Sequence, residues 1–175
     1  MVMEMGIIEL IIEALKFLFP AYCANAIPVI TGGGYPIDFG KKFFDGKPIL
    51  GKNKTFRGFF SGLIVGTAVG YLESVFLNYP SEDSGMLFGL LLSLGALFGD
   101  LAGAFVKRRI GLAPGEPLPI IDQIDFILGA ILLSLPLSLQ ILSWELILAV
   151  LIITPPMHLL TNFVAYKLGL KTNPW

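Results

Sequence analysis

The 175-residue chain is 55% hydrophobic and only 14% charged, against the ~25% charge usual in soluble domains. Its mean hydropathy is +0.79, and a soluble domain's charge-rich outer face cannot be built from so few ionic groups. The net charge of −1 gives no sign of nucleic-acid binding, and a single cysteine, Cys23, excludes an intramolecular disulfide or a four-cysteine zinc site.

The expected fold is therefore an all-α integral membrane protein, with one transmembrane domain over residues 1–175. The first apolar stretch, 6–30, carries Glu9, Glu13 and Lys16 near its start and Pro20 and Pro28 further on. Glu4, Glu9 and Glu13 all precede the first basic residue, the reverse of a cleavable signal, so this stretch is expected to remain as a membrane span. A second span over 58–79 contains only Glu73, near its outer end, where the side chain can reach the interface. The third, over 85–106, contains only Asp100. Spans over 124–143 and 146–166 follow, and Pro136, Pro155 and Pro156 are expected to interrupt them. Each is long enough to cross ~30 Å of hydrocarbon as a helix.

The loops set the orientation. Residues 31–57 hold Lys41, Lys42, Lys47, Lys52, Lys54 and Arg57, residues 107–123 open with Lys107, Arg108 and Arg109, and Lys167 and Lys171 follow the last span. Eleven of the twelve basic residues thus fall on one side, while the opposite loops hold Glu82, Asp83 and Glu145. The positive-inside rule makes 31–57 and 107–123 cytoplasmic, with the N-terminus outside and the C-terminus inside a cell membrane. An odd number of spans, five, satisfies both.

Glycines recur every four residues at Gly58, Gly62, Gly66 and Gly70, and again at Gly95, Gly99 and Gly103. Each set lies on one helix face and lets backbones approach closely. Packing within the chain and a homodimer interface both fit this pattern.

Candidate chemistry gathers at the basic side. A carboxylate inside a span costs on the order of 3 kcal/mol on insertion scales unless it is paired or faces water. Asp100 is such a carboxylate, with Lys107 seven residues on as a candidate partner. Asp122 and Asp125 share a helix face near the start of the fourth span. Three hard oxygen donors near one cytoplasmic mouth suit Mg²⁺, one ion or two, better than zinc, since the only histidine, His158, lies inside the last span as a packing or gating group. Lys52-Asn53-Lys54-Thr55-Phe56-Arg57 between Gly51 and Gly58, and Lys107-Arg108-Arg109, offer point charges, guanidinium forks and turn amides for phosphates. The spacing is not that of a Walker loop. The combination reads as a Mg²⁺–polyphosphate site at the membrane boundary.

These residues also form a pattern. Gly99-Asp100, Lys107-Arg108-Arg109-x-Gly111 and Pro119-x-x-Asp122-Gln123-x-Asp125-Phe126 resemble the signature of the CDP-diacylglycerol synthases, the phosphatidate cytidylyltransferases. The likeness is nearest to their short archaeal branch, the CDP-archaeol synthases. Asn25 within Pro20–Pro28, the glycines at 32–34, Asp38-x-Gly40 and Gly51-Lys-Asn-Lys54-Thr55-x-Arg57-Gly58 also look like that branch. The Pro-Gly-His-Gly-Gly turn and the Lys-Asp pair of the bacterial pattern are absent, and Gln123 stands at the usual arginine.

The resemblance implies transfer of CMP from CTP to a lipid phosphate, here an unsaturated diether glycerol phosphate, in phospholipid biosynthesis. Asp100, Asp122 and Asp125 would hold metal, and with Lys107 they form the expected catalytic set. Lys54, Arg57, Lys107, Arg108 and Arg109 would hold phosphates, and Asn25, Asn53 and Thr55 would orient base, ribose or phosphate. The rival enzyme, a CDP-alcohol phosphotransferase, needs an Asp-Gly-x-x-Ala-Arg pattern, yet the only Asp-Gly here, Asp45-Gly46, continues Lys-Pro-Ile-Leu. A small transporter using Asp100 and His158 is the rival of another class, and it would want polar residues through the outer halves of the spans.

Overall fold

The computed structural model describes residues 6–81, 84–171 and 173–174; Glu4, Glu82 and Asp83 lie outside this set. Five helices follow in order: α1 (Ile7–Thr31), α2 (Phe56–Leu77), α3 (Gly85–Arg109), α4 (Ile121–Ser138) and α5 (Trp144–Lys167). Among the described residues there is no strand, only two isolated bridges, Pro36 with Thr55 and Lys42 with Pro48. α2 to α5 are each long and apolar enough to cross a membrane.

Sequence dictates most of the boundaries. Thr55 caps α2 by accepting from Gly58 N at 3.2 Å, and Ser143 caps α5 by accepting from Leu146 N at 3.2 Å. α3 ends on Lys107, Arg108 and Arg109, where cations oppose the negative end of the helix dipole. α4 begins three residues before the expected 124 and stops at Ser138 rather than 143, because Ile141 and Leu142 turn back to donate to Ser138 O. The expected interruptions do not occur. Pro136, Pro155 and Pro156 all lie inside their helices, since carbonyls freed by proline in a membrane helix can be satisfied by neighbouring helices, hydroxyl side chains and local adjustment of the turn.

Both glycine ladders are spent inside the chain. A Cβ on Gly62 or Gly66 would overlap the carbonyl oxygens of Ala24 or Pro20 on α1, and one on Gly70 would overlap Gly89 on α3. A Cβ on Gly95 or Gly99 would meet the backbone of Gly129 or Asp125 on α4. Backbone-to-backbone contact of this kind seats α2 between α1 and α3, and α3 against α4. It leaves neither ladder for a second copy, which removes the basis for a homodimer through these faces.

The buried core runs along α1, α3 and α4 through Phe17, Leu18, Phe88, Leu92, Phe126 and Ile127, with Val150 of α5. Glu73 belongs to this interior: it is 8% exposed, so it does not reach the interface as expected.

Candidate active site

At one end of the bundle the loop before α2, the C-terminal part of α3, the start of α4, and α5 with its following segment surround a cavity of about 560 Å³. Asn25 of α1, Asn53 and Lys54 of the loop, Asp100, Lys107 and Arg108 of α3, and Asp122 and Asp125 of α4 all line it. So do Lys52, Glu116, His158, Asn162, Lys171 and Asn173. Nine Asp, Glu, Lys and Arg side chains from the loops, α3, α4 and the segment after α5 thus share one cavity.

The loop is held in shape by one carboxylate. Asp38 Oδ1 accepts from Gly40 N at 2.9 Å, and Oδ2 accepts from Leu50 N at 2.9 Å and Gly51 N at 2.8 Å. Burial pushes this carboxyl's pKa up, but the backbone donors from Gly51, Leu50 and Gly40 outweigh it and hold the group below its ordinary value. Gly51 sits at φ +100, a region that disfavours side chains, and its turn presents Lys52, Asn53 and Lys54 to the cavity.

Two lysine–aspartate pairs cross the site. Lys54 Nζ lies 2.7 and 2.6 Å from the oxygens of Asp100, and Lys107 Nζ lies 3.0 and 2.8 Å from those of Asp122. The expected partnership of Asp100 with Lys107 is thus replaced. Seven residues is ~10 Å along a helix axis, and the loop and α4 bring closer partners to each. Asp122 also accepts from Leu118 N at 2.9 Å, and Asp125 from Phe126 N at 2.6 Å.

Gly103 makes room for Asp125. A Cβ there would overlap the Asp125 carboxylate itself, so the third glycine of the second ladder serves the site as well as the packing.

The basic residues divide. Arg108 lines the cavity, is 3% exposed, and its Nε and Nη1 have no hydrogen-bond partner. Such a buried donor pair is costly unless a ligand completes it. Arg57 is turned elsewhere: its Nε donates to Thr31 O at 2.5 Å and its Nη2 to Gly32 O, closing the end of α1. Arg109 pairs with Asp45 at 2.9 Å, donates to Pro48 O, and lies 4.8 Å from the ring centres of both Phe43 and Phe105. Thr55 serves as the α2 cap. Arg57, Arg109 and Thr55 therefore hold the frame of the site and do not line its main cavity.

His158 lines the cavity, with its ring 5.9 Å from Phe126 and its nitrogens 3.3 and 3.5 Å from Asn162 Nδ2. Lys171, Asn173 and Asn162 were not singled out from sequence, because nothing in local spacing ties them to residues so distant in the chain.

Among the described residues, no three acidic, histidine or cysteine side chains converge closely enough to hold a metal ion as they stand. Asp100 and Asp122 face lysine ammonium groups instead.

Comparison with known proteins shows likeness along nearly the whole chain. The model of the CarS-like CDP-archaeol synthase family matches residues 7–175. The chain belongs to that family. The CDP-archaeol synthase of Methanococcus aeolicus is 46% identical, over 98% of this chain and 100% of its own. That of Pyrococcus furiosus is 46% identical, over 94% of this chain and 98% of its own. A solved structure described as an intramembrane enzyme for archaeal membrane lipids biosynthesis superposes with a TM-score of 0.80 at 37% identity, covering 87% of this chain and 94% of that one.

The chain is accordingly a membrane-embedded enzyme, a CTP-dependent cytidylyltransferase of archaeal lipid biosynthesis, as the sequence resemblance implied. The readings as a CDP-alcohol phosphotransferase or a small transporter are set aside.

Proposed function

We propose that the 560 Å³ cavity is where CTP and the phosphate of an unsaturated archaeal diether lipid meet and react. An oxygen of the lipid phosphate attacks the α-phosphorus of CTP, a new P–O–P bond forms, the α–β bridging bond breaks, and pyrophosphate leaves with CDP-archaeol as product. The nucleophile is already an anion, so no base and no covalent enzyme intermediate are needed. The work left to the protein is bringing two polyanions together and stabilising the charge on the leaving group.

The observation that carries this reading is Arg108, a buried guanidinium with two unpartnered donors in a residue that lines the cavity with Lys54 and Lys107. A polyanion with several acceptor oxygens is what such a group lacks. Lys54, Lys107 and Arg108 are assigned to the triphosphate and lipid phosphate, and Asn25 and Asn53, which also border the cavity, to orienting the nucleotide. Arg57, Arg109 and Thr55 are assigned to holding the α1 end, the loop and the α2 start around it.

Asp100, Asp122 and Asp125 are assigned to Mg²⁺, one ion or two. The donor chemistry fits: all three border one cavity, carboxylate oxygens suit this cation, and lysine ammonium groups stand against two of them. Mg²⁺ bound there would supply charge neutralisation for the triphosphate and the departing pyrophosphate. When the lysines let go of Asp100 and Asp122, they become available to phosphate oxygens, so the same four side chains serve both states.

We further assign five membrane spans, with α1 as the first, and a cytoplasmic cavity. This follows from the lopsided lysines and arginines and from the supply of CTP in the cytoplasm. The decisive experiment mixes purified protein in detergent or vesicles with Mg²⁺, labelled CTP and a panel of ether- and ester-linked lipid phosphates. A labelled CDP-lipid with the unsaturated diether substrate is expected. Labelled product from other nucleotides but not from CTP would overturn the assignment.

A further inference from the structure

The cavity has a wall built by the end of the chain. α5 contributes His158 and Asn162, and the segment after it contributes Leu170, Lys171 and Asn173. That segment arrives by a tight turn. Leu168 N donates to Val164 O at 3.0 Å, Gly169 N to Tyr166 O at 3.0 Å and Leu170 N to Ala165 O at 2.9 Å, which closes the last carbonyls of α5. Gly169 takes φ +73, a conformation that strains a side-chain-bearing residue. The chain is thereby folded back on the bundle end, and Lys171 is carried to the cavity with its side chain half-buried.

Placing a long, flexible cation there works against two costs. Its rotamers are restricted, and it shares the cavity with Lys54 and Lys107. Burial pushes the Lys171 ammonium's pKa down; Asp122 opposes this, and Lys54 and Lys107 add to it. The lining as a whole carries five basic side chains (Lys52, Lys54, Lys107, Arg108 and Lys171) against four carboxylates. Basic groups and carboxylates interleaved in this way suit an anion of several charges brought in together with a cation.

We propose that Lys171 is a substrate-phosphate ligand and that the segment after α5 forms one wall of the cavity, so that a phosphate group is held by Lys171 together with the cations of the pre-α2 loop and α3. The inference rests on the cavity being the reaction site. Phosphate is the chemistry recognised, and it comes either from CTP or from the lipid.

The test uses the full-length protein with Lys171→Met and Lys171→Arg, and Lys54→Met as the reference for the site itself. KM for CTP and KM for the lipid phosphate are measured separately, with thermal unfolding in detergent as the check on folding. Lys171→Met should raise one of the two KM values about tenfold or more, the scale of a lost charge-assisted hydrogen bond, with melting unchanged, and Lys171→Arg should recover most of it. A rise confined to CTP identifies the triphosphate as the source, and a rise confined to the lipid identifies the lipid headgroup. Unchanged KM values in Lys171→Met, or equal loss of melting temperature in both Lys171 variants, would overturn the inference. If Lys54→Met alone is impaired, the inference fails and the cavity assignment stands; if neither variant is impaired, the cavity assignment fails.

Discussion

Lys54 and Asp100 meet across the gap between the pre-α2 loop and α3, with Nζ within 2.7 Å of both carboxylate oxygens. The pair solves the problem that Asp100 poses, since an unpaired carboxylate in a span would cost several kcal/mol. It also ties the pre-α2 loop to α3. In the function proposed above, the ammonium is exchanged for Mg²⁺ when substrate binds.

This predicts different outcomes for the two partners. Asp100→Asn keeps the size and removes the charge, so it should fold and insert but lose at least about a hundredfold in CDP-lipid formation, comparable to what metal ions contribute to such transition states. Lys54→Met should mainly raise KM for CTP. Near-normal turnover of a well-folded Asp100→Asn protein at low Mg²⁺ would make Asp100 a structural partner of Lys54 alone.

Gly103 offers a test from the packing side. A methyl group there would overlap the Asp125 carboxylate, pushing it away or prising α3 from α4. Gly103→Ala should therefore lower turnover by ~10–100-fold, the scale of a misplaced reacting group. If melting and turnover in this variant both match the parent protein, the close approach has no functional consequence.

Asp38 gives a pH dependence with a definite sign. Its folded carboxyl titrates below the unfolded value of about 3.9. Its hydrogen bonds to Gly40, Leu50 and Gly51 therefore stabilise the loop at all pH values above about 4, and that contribution is lost as pH falls through the lower folded value. Amide protection in residues 39–54, corrected for the intrinsic pH dependence of exchange, should fall in acid in the parent protein. In Asp38→Asn it should be low already at neutral pH, with no further acid step from this site. Equal protection in both proteins at neutral pH would mean that the loop is held by other contacts.

Orientation can be tested at two exposed positions at opposite ends. In a Cys23→Ala background, Phe44→Cys lies on the loop that precedes α2 and is 98% exposed in the parent residue. Ser81→Cys lies between α2 and α3. An impermeant thiol reagent should reach the first only from the cytoplasmic side and the second only from outside. Labelling of both from one side would contradict five spans.

Sequence patterning carried most of the architecture, because membrane spans are long, charge-poor and written locally. The glycine ladders announce close helix contacts, yet periodicity cannot say which helix is the neighbour; the contacts of Gly62, Gly66, Gly95 and Gly99 with carbonyls of the same chain supply that. The site was legible as a set of charges but not as a set of partners. Arg57, Arg108 and Arg109 look alike in sequence. Only tertiary structure separates the one facing the cavity from the two tied to Thr31 O and Asp45. Lys171 looked like part of a topology signal because its route to the cavity depends on a left-handed glycine two residues earlier.

Arg108 yields the sharpest distinction between charge and shape. It is 3% exposed, and its Nε and Nη1 have no partner. Leaving such donors unsatisfied costs about 1–3 kcal/mol, more for a charged group, and a phosphate group, with several oxygens, is the anion that a guanidinium's fixed donors bond at more than one point. Arg108→Lys retains the charge but removes the fork. It should raise KM for CTP by about tenfold or more while melting is unchanged or slightly higher, since the unsatisfied donors are gone. Arg109→Lys should instead leave KM nearly unchanged and loosen the loop through loss of the Asp45, Phe43 and Phe105 contacts. Binding of CTP should weaken as salt rises in the parent protein, and less steeply in Arg108→Met. A normal KM for CTP in Arg108→Lys would show that charge alone is needed at this position, and the role given to the shape of the guanidinium would be wrong.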